Sequence, residues 1–464
     1  MTIIIPANSA ADTAYDVDNS CRFDGTSYLH KTPTSAGNRR TWTYSLWVKR
    51  DKLGTNQRLL SCDDGSSIID FGFADTDKMY IGFYDSSWKD TITTQVFRDT
   101  SAWMHICFAV DTTQGTSTNR MKFYVNGTQV TTFDSSAYVT QNHDTAVNNS
   151  TKQFILLYKE GTDRIYSGYA AEVCMIDGLQ LAPTSFGEFD SDSPTIWKPI
   201  DVSGLTFGTN GFYCDFEDSA NLGNDANGGT DLTEVNLAAI DQTTDTPTNN
   251  FCTLNPLDNY YASYTFSEGN CKIDGTPSPT TYRTGTMGVA SGKWYWEVNI
   301  TAAPASNASR IGFTSVVSTS TTHILGSDIY GWAQNGNNGN IEGQASQSGS
   351  AASTSYGNSH TTDDIIGIAL NLDDDEVKFY KNGTVENSGT AFQINKANAP
   401  NGFFFPAIGE ASTSNSITAI ANFGNPAWAL SSAVNDENGY GNFEYSVPSG
   451  FLALCTKNLG SDGG

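Results

Sequence analysis

Phe123-Tyr-Val-Asn-Gly-Thr128 returns later in the chain as Phe379-Tyr-Lys-Asn-Gly-Thr384, with five of six residues identical. Asn-Gly is the preferred two-residue β-hairpin turn, because both central residues must take φ > 0. Each copy follows a strand-like run that ends in Asp, Phe108-Ala-Val-Asp111 and Leu370-Asn-Leu-Asp373. One hairpin in each half of the chain predicts two related β-sandwiches. No shorter repeat of 20–50 residues is present, which excludes a solenoid or propeller array.

The surrounding sequence has the same character. In Trp294-Tyr-Trp-Glu-Val-Asn-Ile300, Trp294, Trp296, Val298 and Ile300 share one face, and Tyr295, Glu297 and Asn299 share the other. A period of two with an apolar face predicts a strand with its register set by burial. Ile366, Ile368, Leu370 and Leu372 repeat the pattern, as do Ile106, Phe108 and Val110. Helical periodicity is nearly absent. The predicted fold is all-β, with two antiparallel β-sandwich (jelly-roll) domains in tandem and little helix. The predicted organisation is an N-terminal arm over residues 1–20, a first sandwich over 21–195, a connector over 196–259, a second sandwich over 260–430 and a C-terminal extension over 431–464. The connector rests on turn-forming, acidic stretches such as Asp218–Gly229 and Asp241–Asn250.

Of 464 residues, 25 are Lys or Arg and 50 are Asp or Glu, for a net charge of -25. That balance disfavours binding to nucleic acid and to anionic membrane surfaces. No run of apolar residues is long enough to span a bilayer. Met1–Pro6 lacks the basic start and apolar core of a secretory signal. The eight cysteines form no Cys-x-x-Cys motif, and they read as small buried hydrophobes whose pairing the sequence leaves open. The sequons at Asn126, Asn299, Asn307 and Asn382 read as accidental, two of them being the hairpin turns themselves.

Phe23-Asp-Gly-Thr-Ser-Tyr-Leu29, Trp42-Thr-Tyr-Ser-Leu-Trp-Val48, Trp103-Met-His-Ile106, the Asn126-Gly127 hairpin and Tyr169-Ala-Ala-Glu-Val173 leading to Asp177-Gly178 follow one another in an order that resembles a laminin-G-like, concanavalin-A-like jelly roll. Gly292-Lys-Trp-Tyr-Trp-Glu-Val298, Ile311-Gly-Phe313, Tyr330-Gly-Trp332, Asp364-Ile-Ile-Gly-Ile368, the Phe379–Gly383 hairpin and Phe405-Pro-Ala407 resemble a SPRY domain. The joining pieces Phe189-Asp190, Trp197-Lys-Pro199, Gly211-Phe212 and Thr246–Phe251 are similar to connectors in structural proteins of tailed bacteriophages. The resemblance implies a non-enzymatic virion protein, made in the bacterial cytoplasm, serving as tail fibre, tail tip or capsid fibre or decoration. The partners it implies are other virion proteins and a host-surface glycan or protein, with a homotrimer among the compatible assemblies.

Catalytic signals are sparse. The Glu-x-Asp-x-x-Glu and Glu-x-Asp-x-Glu strands of related glucanases are absent, and Glu172 and Glu297 read as lone solvent-face strand acids. The five histidines lack metal-ligand spacing, and there is no Gly-x-Ser-x-Gly. A tailspike depolymerase or a bacterial surface adhesin are the alternatives, the first needing a carboxylate pair and the second an export signal. Candidate ligand-binding residues are Trp88 in a polar turn, together with Asn335, Asn337, Asn338 and Tyr356 in a Gly/Ser/Asn-rich segment read as a loop. No cofactor is required. Asp63, Asp64, Asp75 and Asp77 are candidate Ca²⁺ ligands, whereas Asp373–Glu376 reads as a turn.

Overall fold

The computed structural model describes residues 15–159, 163–258, 264–275, 280–344, 351–412 and 416–462. They are nearly all β, and the one α-helix among them is Thr456–Asp462. No helix among the described residues is long and apolar enough to cross a membrane. The chain divides into two compact units at Asn249–Asn250.

In the first unit, one sheet runs in the order Thr128–Gln129, Met121–Val125, Met104–Asp111, Thr41–Arg50, Ser167–Asp177, Ser20–Asp24 and Gln242–Thr243, with Phe212–Cys214 also pairing to Ser167–Asp177. The facing sheet runs Phe133–Ser135, Trp88–Val96, Lys78–Asp85, Ser67–Phe73, Gln57–Asp63, Gln153–Ile155, Tyr28–Lys31 and Thr233–Val235. The inward residues of both sheets meet in one aromatic core, in which Phe71 stacks on Phe108 at 4.8 Å and Trp42 meets Phe108 edge-on.

The first sheet is buried on its other face too. Residues of the 180–207 stretch lie over it, placing Phe186, Val202 and Phe207 on Cys107, Cys174 and Ile176, and Trp197 on Trp47, Tyr169 and Ala171. The stretch 196–259 is therefore not a free connector. Residues 197–199, 212–214, 233–235 and 242–243 are strands of the first unit. Its anchor is a buried ion pair. Asp245 accepts from Lys49 Nζ at 2.7 Å and from Trp103 Nε1 at 2.9 Å, with both charged groups almost wholly enclosed. Of the N-terminal arm, Tyr15 and Val17 pack on this unit, and residues 1–14 lie outside the described set.

The second unit repeats the plan. One sheet orders Tyr264–Ser267, Lys272–Gly275, Thr418–Asn422, Lys293–Ala302, Ile365–Asn371, Glu376–Lys381 and Thr384–Val385. The other orders Tyr282–Thr284, Phe405–Glu410, Ser309–Thr314, Gly331–Asn335, Ile341–Gln344 and Ala351–Thr354. Trp294, Trp296, Val298 and Ile300 all point into the core, as the alternation predicts. The opposite face is not solvent. Tyr295 and Glu297 are buried beneath the extension after residue 431, through Phe443 and Ala453.

Glu172 and Glu297 thus correct the solvent-face reading. Glu297 accepts from the backbone N–H groups of Glu444 (2.9 Å) and Tyr445 (3.0 Å) and from the Tyr295 hydroxyl (3.2 Å). Glu172 sits at φ +51 in a bulge, where the pairing of Ser167–Asp177 with Thr41–Arg50 shifts register, and accepts from the Tyr213 and Tyr15 hydroxyls. A buried carboxyl is tolerable only with such partners.

Both Asn-Gly hairpins are present, with φ +47 and +74 at Asn126 and Gly127, and +48 and +76 at Asn382 and Gly383. Each Asn Oδ1 also accepts a backbone N–H from the next strand, His105 in one unit and Ile365 in the other, both at 2.8 Å. Each glycine lies under an aromatic ring of the covering layer. A Cβ on Gly127 would come within 2.3 Å of Trp197, and one on Gly383 within 2.5 Å of Tyr445.

All eight cysteines are buried, and burial pushes the Cys62 thiol up to about 12. A thiol reagent should leave the native chain unmodified and react once it is unfolded, so modification of any cysteine in the native state would contradict this packing. Asp245→Ala strands the Lys49 charge and should destabilise the first unit by about 3–5 kcal/mol, as read from its denaturant midpoint. A pH scan tests the buried carboxyls. Burial raises Glu172 to about 8, and Asp51, Glu297 and Glu410 to about 7. Their folded values exceed their unfolded ones, so their contribution is lost as pH rises through 7–8. Burial lowers His105 to about 3 and His360 to about 4, so their contribution falls away below about 6.5. Four carboxyls against two histidines leave the folded state with the larger proton uptake, so the melting temperature should rise from pH 8 down to about 5, and Glu172→Gln should reduce that slope.

Candidate functional site

The outward face of the first unit's second sheet carries an aromatic platform. Alternation on Lys78–Asp85 sends Met79, Ile81 and Phe83 into the core and turns Tyr80, Gly82 and Tyr84 outward. Trp88 pairs with Tyr84 across the hairpin and lies on the same face, 43% exposed, its ring edge-on to Tyr84 at 5.8 Å. Trp88 therefore opens the Trp88–Val96 strand and is not part of a polar turn. The register Asp70–Gly82–Asp90 puts two aspartates on this face, their Cα atoms two strand spacings or about 10 Å apart. Gly82 leaves the furrow between them, and the Tyr80 ring lies across it.

Neither carboxylate is idle. Arg58 and Arg164 both bind Asp70, Arg164 Nη1 at 3.0 Å from Oδ2. The Arg58 guanidinium lies over the Tyr80 ring at 4.9 Å, and that of Arg164 over Tyr158 at 4.3 Å. Asp90 accepts from the Tyr80 hydroxyl at 2.7 Å. Asp70 and Arg58 are buried, so the groups left accessible are the Trp88 and Tyr84 rings, the Asp90 carboxylate and the Arg164 guanidinium, of the kinds that hold a polyhydroxylated ligand. Burial raises the Asp70 carboxyl above its usual range although Arg58 and Arg164 pull it down, and it leaves Asp70 only 2% exposed, whereas hydrolysis of a glycosidic bond needs an accessible carboxyl acid.

A second concavity of about 270 Å³ lies between residues 30–34, 208–211 and 227–233. Thr32, Thr34, Asn210, Asn227 and Thr230 line it with hydroxyls and amides, and Asp231 is the carboxylate among its lining residues. Hydrogen bonds from the Asp225 N–H and the Asn221 amide hold Asp231 below the usual carboxylate range, against a small burial penalty. The sequence gives no sign of this cleft, because two of its three walls come from the stretch read as a connector.

The remaining candidates are dispersed. Asp64 binds Arg39 and accepts from Ser66, Ser67 and Asn149. Burial opposes ionisation there, but these bonds outweigh it and hold the carboxyl low. Asp77 is likewise held low, against burial, by the Gly54 N–H, Arg98 and Arg50. Asp63 accepts from the Gly65 N–H, and Asp75 is exposed. Asp63, Asp64 and Asp77 are thus engaged by local turns or arginines. Among the described residues, no group of three or more His, Cys, Asp or Glu is placed to hold a metal ion.

Asn335 is a buried strand residue that accepts from Arg310 at 2.7 Å and donates to Glu342 at 2.8 Å. Asn337 and Asn338 are exposed in the tight turn that follows, where Asn337 donates to Ser306 O and Asn338 accepts from the Asn340 N–H. Tyr356 points into the core, against Phe379 and Phe392. The Gly/Ser/Asn segment is thus hairpin structure rather than a long loop, apart from residues 345–350, which lie outside the described set.

Residues 23–174 match the family model of the concanavalin A-like lectin/glucanases superfamily, and residues 293–424 match that of the SPRY domain. No curated protein matches the chain. Among solved structures, the SPRY domain of human HERC1 is similar at 16% identity, covering 36% of this chain and 96% of that one, with a TM-score of 0.30. A heptameric SAP-like pentraxin from Limulus polyphemus matches at 19% identity over 36% and 80%, with a TM-score of 0.28. A putative carbohydrate binding protein from Bacteroides ovatus matches at 16% identity over 49% and 60%, with a TM-score of 0.32. The chain thus carries a laminin-G-like, concanavalin A-like domain followed by a SPRY domain.

Proposed function

We propose that the chain is a non-enzymatic attachment protein of a tailed-bacteriophage virion, and that its first domain grips a host-surface glycan. The observation that carries the glycan reading is the exposed Trp88 ring edge-on to half-buried Tyr84, with the part-exposed Asp90 acceptor and Arg164 guanidinium on the same sheet. An indole ring this exposed costs solvation in the free protein and regains it against the apolar face of a sugar. The SPRY domain takes the role of engaging other virion proteins. The net charge of -25 suits a particle surface, since it suppresses non-specific association.

The depolymerase reading rests on one observation, the Asp70–Asp90 pair across Gly82. Both readings are tested on purified protein and immobilised host polysaccharide. Trp88→Ala and Tyr84→Ala should each weaken binding by about tenfold, the worth of one aromatic contact, with the melting temperature nearly unchanged. Release of reducing ends that disappears in Asp70→Asn or Asp90→Asn would replace attachment with hydrolysis. Undiminished binding in both aromatic variants would remove the platform from the site.

A further inference from the structure

The first sandwich holds an apolar cavity at one lateral edge, separate from the platform. It measures about 120 Å³ and is walled by Ile81, Phe108, Met121, Phe123, Phe133 and Tyr138. Domain interiors are packed to crystal-like density, with few voids larger than a water molecule. A hollow of this size among core aromatics is therefore a specific feature of the fold.

Its location explains how it stays open. Thr128–Gln129 is the edge strand of one sheet and Phe133–Ser135 the edge strand of the other. The chain between them crosses from sheet to sheet as a strap over the cavity mouth. Few bonds hold the strap: Val130 N–H to Phe123 O at 2.9 Å, and the Thr94 N–H and hydroxyl to Thr132 O at 3.3 Å each. A second hollow, of about 350 Å³, lies on the same segment, sharing Gln129, Val130 and Thr131 with the cavity. The strap thus lines both hollows.

From this cavity we infer that the first domain binds a small aromatic molecule of the phenol class. Apolar cavities of about 150 Å³ accept benzene, so the volume suits one six-membered ring. The phenyl rings and the Met121 sulfur match an aromatic guest in shape and polarisability. Thr91, Gln129 and Thr131 also line the cavity and supply partners for one polar substituent. The site owes nothing to the glycan platform and stands or falls independently of it.

The test is a titration of the full chain with phenol and with benzene, followed by calorimetry and by melting temperature. A saturable heat and a matching rise in melting temperature are expected, as for any ligand selective for the folded state. Val130→Phe fills the cavity from the strap, and Met121→Trp fills it from the opposite wall. Each should weaken phenol binding at least tenfold while leaving glycan binding intact, and the second variant carries the test if the first misfolds. Absence of saturable binding of either compound would overturn the inference, as would unchanged phenol affinity in both filled variants.

Discussion

In each unit, one sheet is buried on both faces, and most other features follow from that. A strand packed on one side only can leave its polar alternates in water. Strands packed on both sides must find partners for every polar group on the second side. In the first unit, Thr41–Arg50, Met104–Asp111 and Ser167–Asp177 are buried almost end to end. The partners are supplied by later segments of chain. Trp197 donates to His105 Nδ1 at 3.1 Å, leaving Nε2–H to donate to Ser45 at 2.8 Å. Asp245 meets Lys49 and Trp103, and Tyr213 meets Glu172.

The SPRY unit solves the same problem with different residues. Glu297 is the acceptor that its covering segment requires, binding two successive backbone N–H groups at Glu444 and Tyr445. Tyr445 also lies on Gly383, as Trp197 lies on Gly127. The Asn-Gly turns therefore serve twice. They close their hairpins at positive φ, and their glycines give the covering aromatic a seat that any side chain would fill.

Covering one sheet decides what the first unit has left to present. Its other sheet is buried on both faces over Gln57–Asp63 and Ser67–Phe73, but towards the Lys78–Asp85 and Trp88–Val96 strands Tyr80 and Tyr84 are half-buried and Trp88 is exposed. The lateral edge, where the strap crosses between sheets, is the second accessible region, and its polar and apolar hollows share one short segment. The platform and the edge cavity thus arise from the same architecture but are lined by different residues.

The two sandwiches, both hairpin turns and the inward faces, down to Trp294, Trp296, Val298 and Ile300, were legible from the sequence alone. They depend on local rules, a period of two and the backbone demands of Asn-Gly, that operate within a few residues. Alternation names the residues that share a face but does not say what lies against that face. Hence Glu172 and Glu297 read as solvent-exposed, Tyr356 as a loop residue and 196–259 as a connector, although each packs against partners far away in sequence. The same limit hid the polar cleft, the carboxylates flanking Gly82 and the edge cavity. Those depend on strand order and register, which only the folded chain decides, because burial and hydrogen-bond satisfaction are properties of the whole domain.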